Sequence, residues 1–130
     1  MKTKYFNIGD NDWGIVMVYD YTDDDYEKLW SMIRAFGMPD EKAMYALGVL
    51  SRPDSGMTLT SMSDMMSVIF VSEATSDDEW FNTLVHELKH VVEHISEFYN
   101  VSPKSEPAAY LQGEIGRQMF PLIMQKMCGK

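Results

Sequence analysis

The chain is predicted to be one α+β domain, in which a small mixed or antiparallel sheet packs against two long helices near the C-terminus. Its 130 residues fit a single domain spanning 1–130, and a hydrophobic content of 45% is enough for a buried core. Short runs rich in β-branched and aromatic residues occur before residue 73, which is the composition of strands. After residue 76, apolar residues recur at helical spacing over two long stretches.

The first 75 residues are predicted to contain four strands and two helices. Thr22 and the three aspartates that follow it are typical of a helix start, and Gly37 is typical of a helix end. The polar stretch 9–12 predicts a hairpin turn. The apolar run at 66–72 indicates a strand buried on both faces. The predicted strands cover 3–8, 13–20, 57–61 and 66–72, and the predicted helices cover 22–37 and roughly 40–50.

A long amphipathic helix is predicted over residues 76–99. Ser76 and Glu79 have the spacing of a capping box, which marks the helix start. At about 100° per residue, His86 and His90 lie nearly opposite the centre of the apolar stripe, so they face solvent or a cleft. The stripe consists of Phe81, Leu84, Val85, Leu88, Val91, Val92, Ile95 and Tyr99.

A second long helix is predicted over residues 105–127. Pro107 is predicted to stand at the first helical position, and the short loop before it makes the two long helices antiparallel neighbours. The candidate core positions of this helix are Ala109, Leu111, Ile115, Met119, Leu122 and Ile123.

Residues 86–90 read His-Glu-Leu-Lys-His and carry the strongest functional signal in the chain. Two histidines four positions apart lie on one helix face, separated by about 6 Å along the axis, and can bind one zinc ion. Glu87 lies between them and can reach a water on the metal. The pattern H-E-x-x-H is that of zinc hydrolases, with His86 and His90 as ligands and Glu87 as general base.

A catalytic zinc site usually has a third protein ligand. His94 lies about 6 Å beyond His90 along a straight helix, too far for bonds of about 2 Å to the same ion. Glu93 and Glu97 have the same difficulty, so they either support the ligands or belong to the surface. Glu106 stands at the start of the next helix and is the predicted third ligand. Without the two histidines, Glu106 would be interpreted as an acid that stabilises the helix dipole.

The charge and composition exclude several classes of protein. A net charge of −9 disfavours nucleic acid and anionic membranes as partners. No stretch approaches the roughly 20 apolar residues of a membrane span, and the first residues lack the apolar run of a secretory signal. The single cysteine, Cys128, fits a reducing compartment. We therefore expect a cytoplasmic protein; nothing in the sequence indicates its oligomeric state.

Two segments carry a resemblance to a known family. Residues 80–90, Trp-Phe-Asn-Thr-Leu-Val-His-Glu-Leu-Lys-His, and residues 105–113, Ser-Glu-Pro-Ala-Ala-Tyr-Leu-Gln-Gly, resemble small single-domain zincins of the gluzincin type. They are similar to compact metallopeptidase-like proteins encoded by phages and mobile elements. The resemblance is specific over about residues 77–116 and only architectural before residue 76.

The resemblance implies a zincin-like fold and a zinc-dependent metallopeptidase acting on a peptide or protein substrate. In such a protein His86, His90 and Glu106 bind Zn²⁺, Glu87 activates the water, and Tyr110 donates to the oxyanion. The strand at 66–72 would then be the sheet edge that pairs with an extended peptide.

Two alternatives to an active peptidase stay open. Larger gluzincins have a second subdomain that shapes the specificity pockets, and this chain has no room for one. In the first alternative, the protein is therefore a catalytically silent zincin-fold binding or structural module that keeps the metal site. In the other alternative no metal binds, and the histidines belong to a solvated helix face.

Overall fold

The computed structural model of the chain describes residues 1–9 and 12–129. The strands are β1 (Lys2–Ile8), β2 (Trp13–Tyr19), β3 (Gly56–Ser61) and β4 (Met66–Val71), and the helices are α1 (Tyr26–Ala35), α2 (Asp40–Leu50), α3 (Asp77–Phe98) and α4 (Glu106–Cys128). Each predicted element is confirmed to within a few residues. The helix predicted from Thr22 instead opens with a 3-10 turn, Asp23–Asp25. In the predicted turn at 9–12, residues 10 and 11 lie outside the described residues.

The four strands form one mixed sheet in the order β1-β2-β4-β3. β1 is antiparallel to β2, β2 is parallel to β4, and β3 is antiparallel to β4. The chain reaches β4 from β2 through α1, α2 and β3, because neighbouring parallel strands need a long crossover. β2 and β4 are therefore central, and β1 and β3 are the two edges.

Helices cover both faces of the sheet. Val68 and Phe70 of β4 pack with the buried residues of α1 and α2, whereas Ile69 and Val71 pack with those of α3 and α4. This alternation explains the apolar run of β4, since a central strand needs an apolar side chain on each face. The sequence predicted the layer formed by α3 and α4; that α1 and α2 cover the opposite face is a finding of the structure.

The buried face of α3 is rotated from the predicted stripe. Phe81, Val85 and Tyr99 are more than 40% exposed, so their assignment to the core was wrong. The buried residues of α3 are Trp80, Thr83, Leu84, Glu87, Leu88, Val91, Val92, Ile95 and Ser96. Because β3 lies against the side of α3 that carries Thr83 and Glu87, that side is buried despite its polar residues.

The buried positions of α4 follow the predicted spacing, with one shift. Ile115, Met119 and Leu122 are buried, whereas Ala108 rather than Ala109 faces the core. None of the helices in the described ranges has the length and apolar character needed to cross a bilayer.

Candidate metal centre on the motif helix

A serine cap fixes the start of α3. Oγ of Ser76 accepts a hydrogen bond from the backbone N–H of Glu79 at 3.4 Å. This is the cap that the sequence predicted, and it satisfies one of the free N–H groups of the first turn. From there α3 runs for 22 residues. The positions of the histidines on this helix therefore follow from the cap and the helical repeat.

The structure brings together His86, Glu87 and His90. Each of these residues offers one ligand atom that lies within 4.8 Å of the other two. The imidazole rings of His86 and His90 are 5.1 Å apart, centre to centre, and inclined by 76°. His86 is exposed and His90 is half-buried, so an ion or a ligand can reach this side of the helix.

Glu87 differs from the two histidines in its burial. Only 4% of its surface is exposed, and its Oε2 has no hydrogen-bond partner among the described residues. A buried carboxylate oxygen without a partner is costly, and natural proteins rarely keep one without a function. The sequence placed Glu87 beside the histidines; the structure adds that its carboxylate enters the contact between α3 and the sheet.

Burial raises the pKa of the Glu87 carboxyl, because the ionised form loses its hydration. The positive charges of His90 and His86 oppose that shift without cancelling it. Glu87 thus binds a proton more readily than an exposed glutamate does.

β3 supplies the wall against which Glu87 lies. Oγ1 of Thr58 donates to the backbone carbonyl of Glu87 at 3.1 Å. A Cβ atom on Gly56 would lie 2.8 Å from Cγ2 of Thr83 and 2.9 Å from Cγ of Glu87. Glycine at position 56 therefore lets the strand approach the helix closely enough to bury the carboxylate.

His94 lies one turn beyond His90 and is not a member of the group of close ligand atoms. Its Nδ1 is hydrogen-bonded to Oγ1 of Thr60 on β3 at 2.7 Å. Burial lowers the pKa of His94, and the positive charge of His90 lowers it further. The carboxylates of Glu97 and Glu93 have the opposite effect.

Glu106 and Tyr110, the predicted third ligand and oxyanion donor, lie in the first turns of α4. Both side chains are exposed, Tyr110 by 76%. α4 packs against α3 and β1, at the edge of the sheet opposite β3. Glu106 is not in the group formed by the two histidines and Glu87. The roles of Glu106 and Tyr110 stay predictions.

The predicted edge strand needs a correction. β4 is paired with β2 on one side and with β3 on the other, so the expectation that residues 66–72 form the free edge was wrong. A strand that is apolar on both faces belongs inside a sheet. β3 is the edge beside α3, and its outer side is unpaired within the described part of the chain.

Sequence reasoning missed the contribution of β3 to the site. Thr58 and Thr60 contact α3, and between them Leu59 packs toward α1 and α2. This alternation of polar and apolar residues is visible in the sequence, where it predicts a strand and no contact with the motif helix. No signal in the sequence indicated that the polar side faces the motif helix.

Neither a family model nor a curated protein nor a solved structure matches the chain.

Proposed function

We propose that the protein is a zinc-dependent hydrolase of peptide bonds, a small metallopeptidase of the zincin type. One observation carries the proposal: ligand atoms of His86, Glu87 and His90 lie within 4.8 Å of one another, and one carboxylate oxygen of Glu87 is buried without a partner in the described part of the chain. An ordinary solvated helix face has no need of a buried carboxylate beside two imidazoles.

The donor set suits zinc. Imidazole nitrogens are common zinc ligands, and His86 and His90 have the helical spacing at which both reach one ion. When bound, zinc lowers the pKa of a coordinated water to about 7 and polarises a carbonyl group. Magnesium and calcium prefer carboxylate, carbonyl and water oxygens, so a site built on two imidazoles favours a transition metal.

In this proposal Glu87 is the general base. It accepts a proton from the attacking water and passes that proton to the nitrogen of the departing amine. Its burial supports this role in two ways. The contact with β3 holds the carboxylate in place. Burial also raises the pKa of Glu87 above that of an exposed glutamate, toward neutral pH.

Two features beside the site favour an extended peptide as the substrate. β3 is an edge strand next to Glu87, and an extended peptide can pair with such an edge through its backbone. An apolar groove of about 800 Å³ borders the same strand on the side of α2 and is lined in part by Tyr45, Val49 and Met57. A peptide along β3 would place alternate side chains toward α3 and toward this groove.

Metal content and peptide cleavage, measured on the same preparations, test the proposal. We expect the wild type to contain one zinc per chain when purified without added metal and to cleave members of a peptide library. Glu87→Gln should keep the zinc and lose about 10²- to 10⁴-fold in rate, the usual contribution of a general base. Glu97→Gln, an exposed glutamate on the same helix, is the matched control and should cleave normally.

Cleavage at the wild-type rate by Glu87→Gln would contradict the mechanism. A wild type without zinc would contradict the metal site itself. The histidines would then be interpreted as part of a solvated helix face.

A silent zincin-fold module is the second candidate, and the position of Glu106 favours it. Glu106 is exposed on α4 and stands apart from the group on α3. An active site with three protein ligands predicts that Glu106→Ala loses zinc along with activity. Zinc retained by this variant, together with a wild type that cleaves no peptide, would favour the silent module.

A further inference from the structure

A chain of hydrogen bonds crosses from the core of the sheet to the motif helix. Nε1 of Trp13 donates to Oγ of Ser67 at 3.1 Å. Ser67 and Thr60 are joined at 2.8 Å through their hydroxyl oxygens, and Oγ1 of Thr60 is 2.7 Å from Nδ1 of His94. These side chains come from β2, β4, β3 and α3 in turn, and we call their hydrogen bonds the hydroxyl relay.

The relay has a direction that follows from its first donor. The indole N–H of Trp13 can only donate, so Ser67 accepts from it. Ser67 is fully buried, and the described residues offer its own hydrogen one acceptor, the hydroxyl oxygen of Thr60. Ser67 therefore donates to Thr60, because the opposite direction would leave the Ser67 hydrogen buried without an acceptor, which is unfavourable. Thr60 keeps its own hydrogen and a second lone pair, so it either donates to Nδ1 of His94 or accepts from it. Both arrangements tie the ring of His94 to β3.

We propose that His94 is a positioning residue: its hydrogen bond to the hydroxyl relay fixes its ring, and this fixed ring holds the imidazole of His90 in its orientation beside His86. Holding His90 is a property of the protein itself. The consequence for metal affinity rests on the proposed function.

The arrangement of the three rings supports this role. The rings of His90 and His94 are inclined by only 25°, with centres 6.4 Å apart, and His86 lies 5.1 Å from His90 on its other side. His90 therefore stands between two imidazoles, and the His94 ring is tied to the sheet. A ring held beside a fixed neighbour loses less freedom when it binds a ligand than a ring that turns freely.

Nitrogen NMR of the histidine rings in metal-free protein tests the relay. In the wild type we expect one sharp set of ring signals for His94, because the hydrogen bond to Thr60 holds the ring in one orientation. Thr60→Val removes the hydroxyl and keeps the side-chain shape. It should shift and broaden the ring signals of His94 and change those of His90.

Thr58→Val is the matched control. Thr58 lies on the same side of β3, and its hydroxyl bonds to the backbone of Glu87 rather than to a histidine. This variant should leave the His94 signals unchanged. Ser67→Ala breaks the relay one step earlier and should reproduce the effect of Thr60→Val. Unchanged signals of His94 and His90 in Thr60→Val would overturn the proposal.

Zinc titration then tests the consequence for the metal site. We expect Thr60→Val to bind zinc more weakly than the wild type by up to about 10-fold, because Thr60 acts through His94 and is not itself the direct partner of a ligand, whose loss costs about 10-fold or more. Equal affinity would overturn the positioning role while leaving the proposed function intact. A wild type that binds no zinc would overturn the proposed function, and the NMR result would still decide the relay.

Discussion

Gly56 of β3 faces Glu87 of α3, and there is no room for a side chain between them. A methyl group at position 56 would lie 2.9 Å from Cγ of Glu87 and 3.0 Å from the backbone oxygen of Phe70. One of these contacts involves a side chain and the other the backbone of β4. The close approach of strand and helix, which buries the carboxylate of the motif, therefore depends on the absence of a side chain at residue 56.

Gly56→Ala should lower the free energy of unfolding by about 1–3 kcal/mol, the usual cost of adding a methylene to a filled contact. The backbone oxygen of Phe70 belongs to β4 and cannot move without disturbing the sheet. The added methyl group therefore pushes β3 and α3 apart. Denaturant unfolding measures this loss. Gly48→Ala is the matched control, because a Cβ there meets nothing within 4 Å, and alanine in a helix gains up to about 1 kcal/mol. Equal stability of the Gly56→Ala variant and the wild type would show that the contact is loose.

The sequence was sufficient to predict the elements and the motif, because both depend on local patterns. The helices over 40–50 and 76–99 have apolar residues at helical spacing, and Ser76 caps the longer one, as the structure confirms. The spacing of His86 and His90 likewise predicts that they lie together, which needs only the helical repeat.

Features that depend on contacts distant in sequence were not predictable. That Gly56 opens room for Glu87, or that Thr60 bonds to His94, requires knowing that β3 pairs with β4 and lies under α3. The buried face of α3 was placed from apolar residues alone. The stripe therefore excluded Glu87, which is buried by its position against the strand and not by its hydrophobicity.

Ser76→Ala should destabilise the protein by about 1 kcal/mol, the usual cost of losing a serine N-cap. The hydroxyl of Ser76 accepts from the backbone N–H of Glu79, and alanine leaves that donor without its partner. Thermal unfolding measures the effect. Ser76→Asp keeps an acceptor and should recover most of the loss. If Ser76→Asp were as unstable as Ser76→Ala, the hydrogen bond would not be the cause.

Zinc should raise the melting temperature of the wild type, since a ligand that binds only the folded state stabilises it. At a zinc concentration 100 times the dissociation constant the gain is about 2.7 kcal/mol. EDTA should reverse the shift.

His86→Ala and His90→Ala should show no zinc-dependent shift, because each removes one ligand of the close pair. Lys89→Ala, an exposed residue between them, is the matched control and should respond as the wild type does. A full shift in His90→Ala would place the metal elsewhere.

Glu87→Gln should stabilise the metal-free protein at neutral pH by about 1 kcal/mol, because it removes a buried charge that has an unpartnered oxygen. Burial raises the pKa of Glu87 in the folded state, so between its ordinary pKa and that raised value the folded protein binds more protons than the unfolded chain. Wild-type stability therefore falls as pH rises through this window.

The gain from Glu87→Gln should vanish at lower pH and reach its full size above the window, as urea unfolding across pH would show. Glu97→Gln, which changes an exposed carboxylate, should follow the wild-type curve. A constant difference between Glu87→Gln and the wild type at all pH values would mean that ionisation of Glu87 is not the cause.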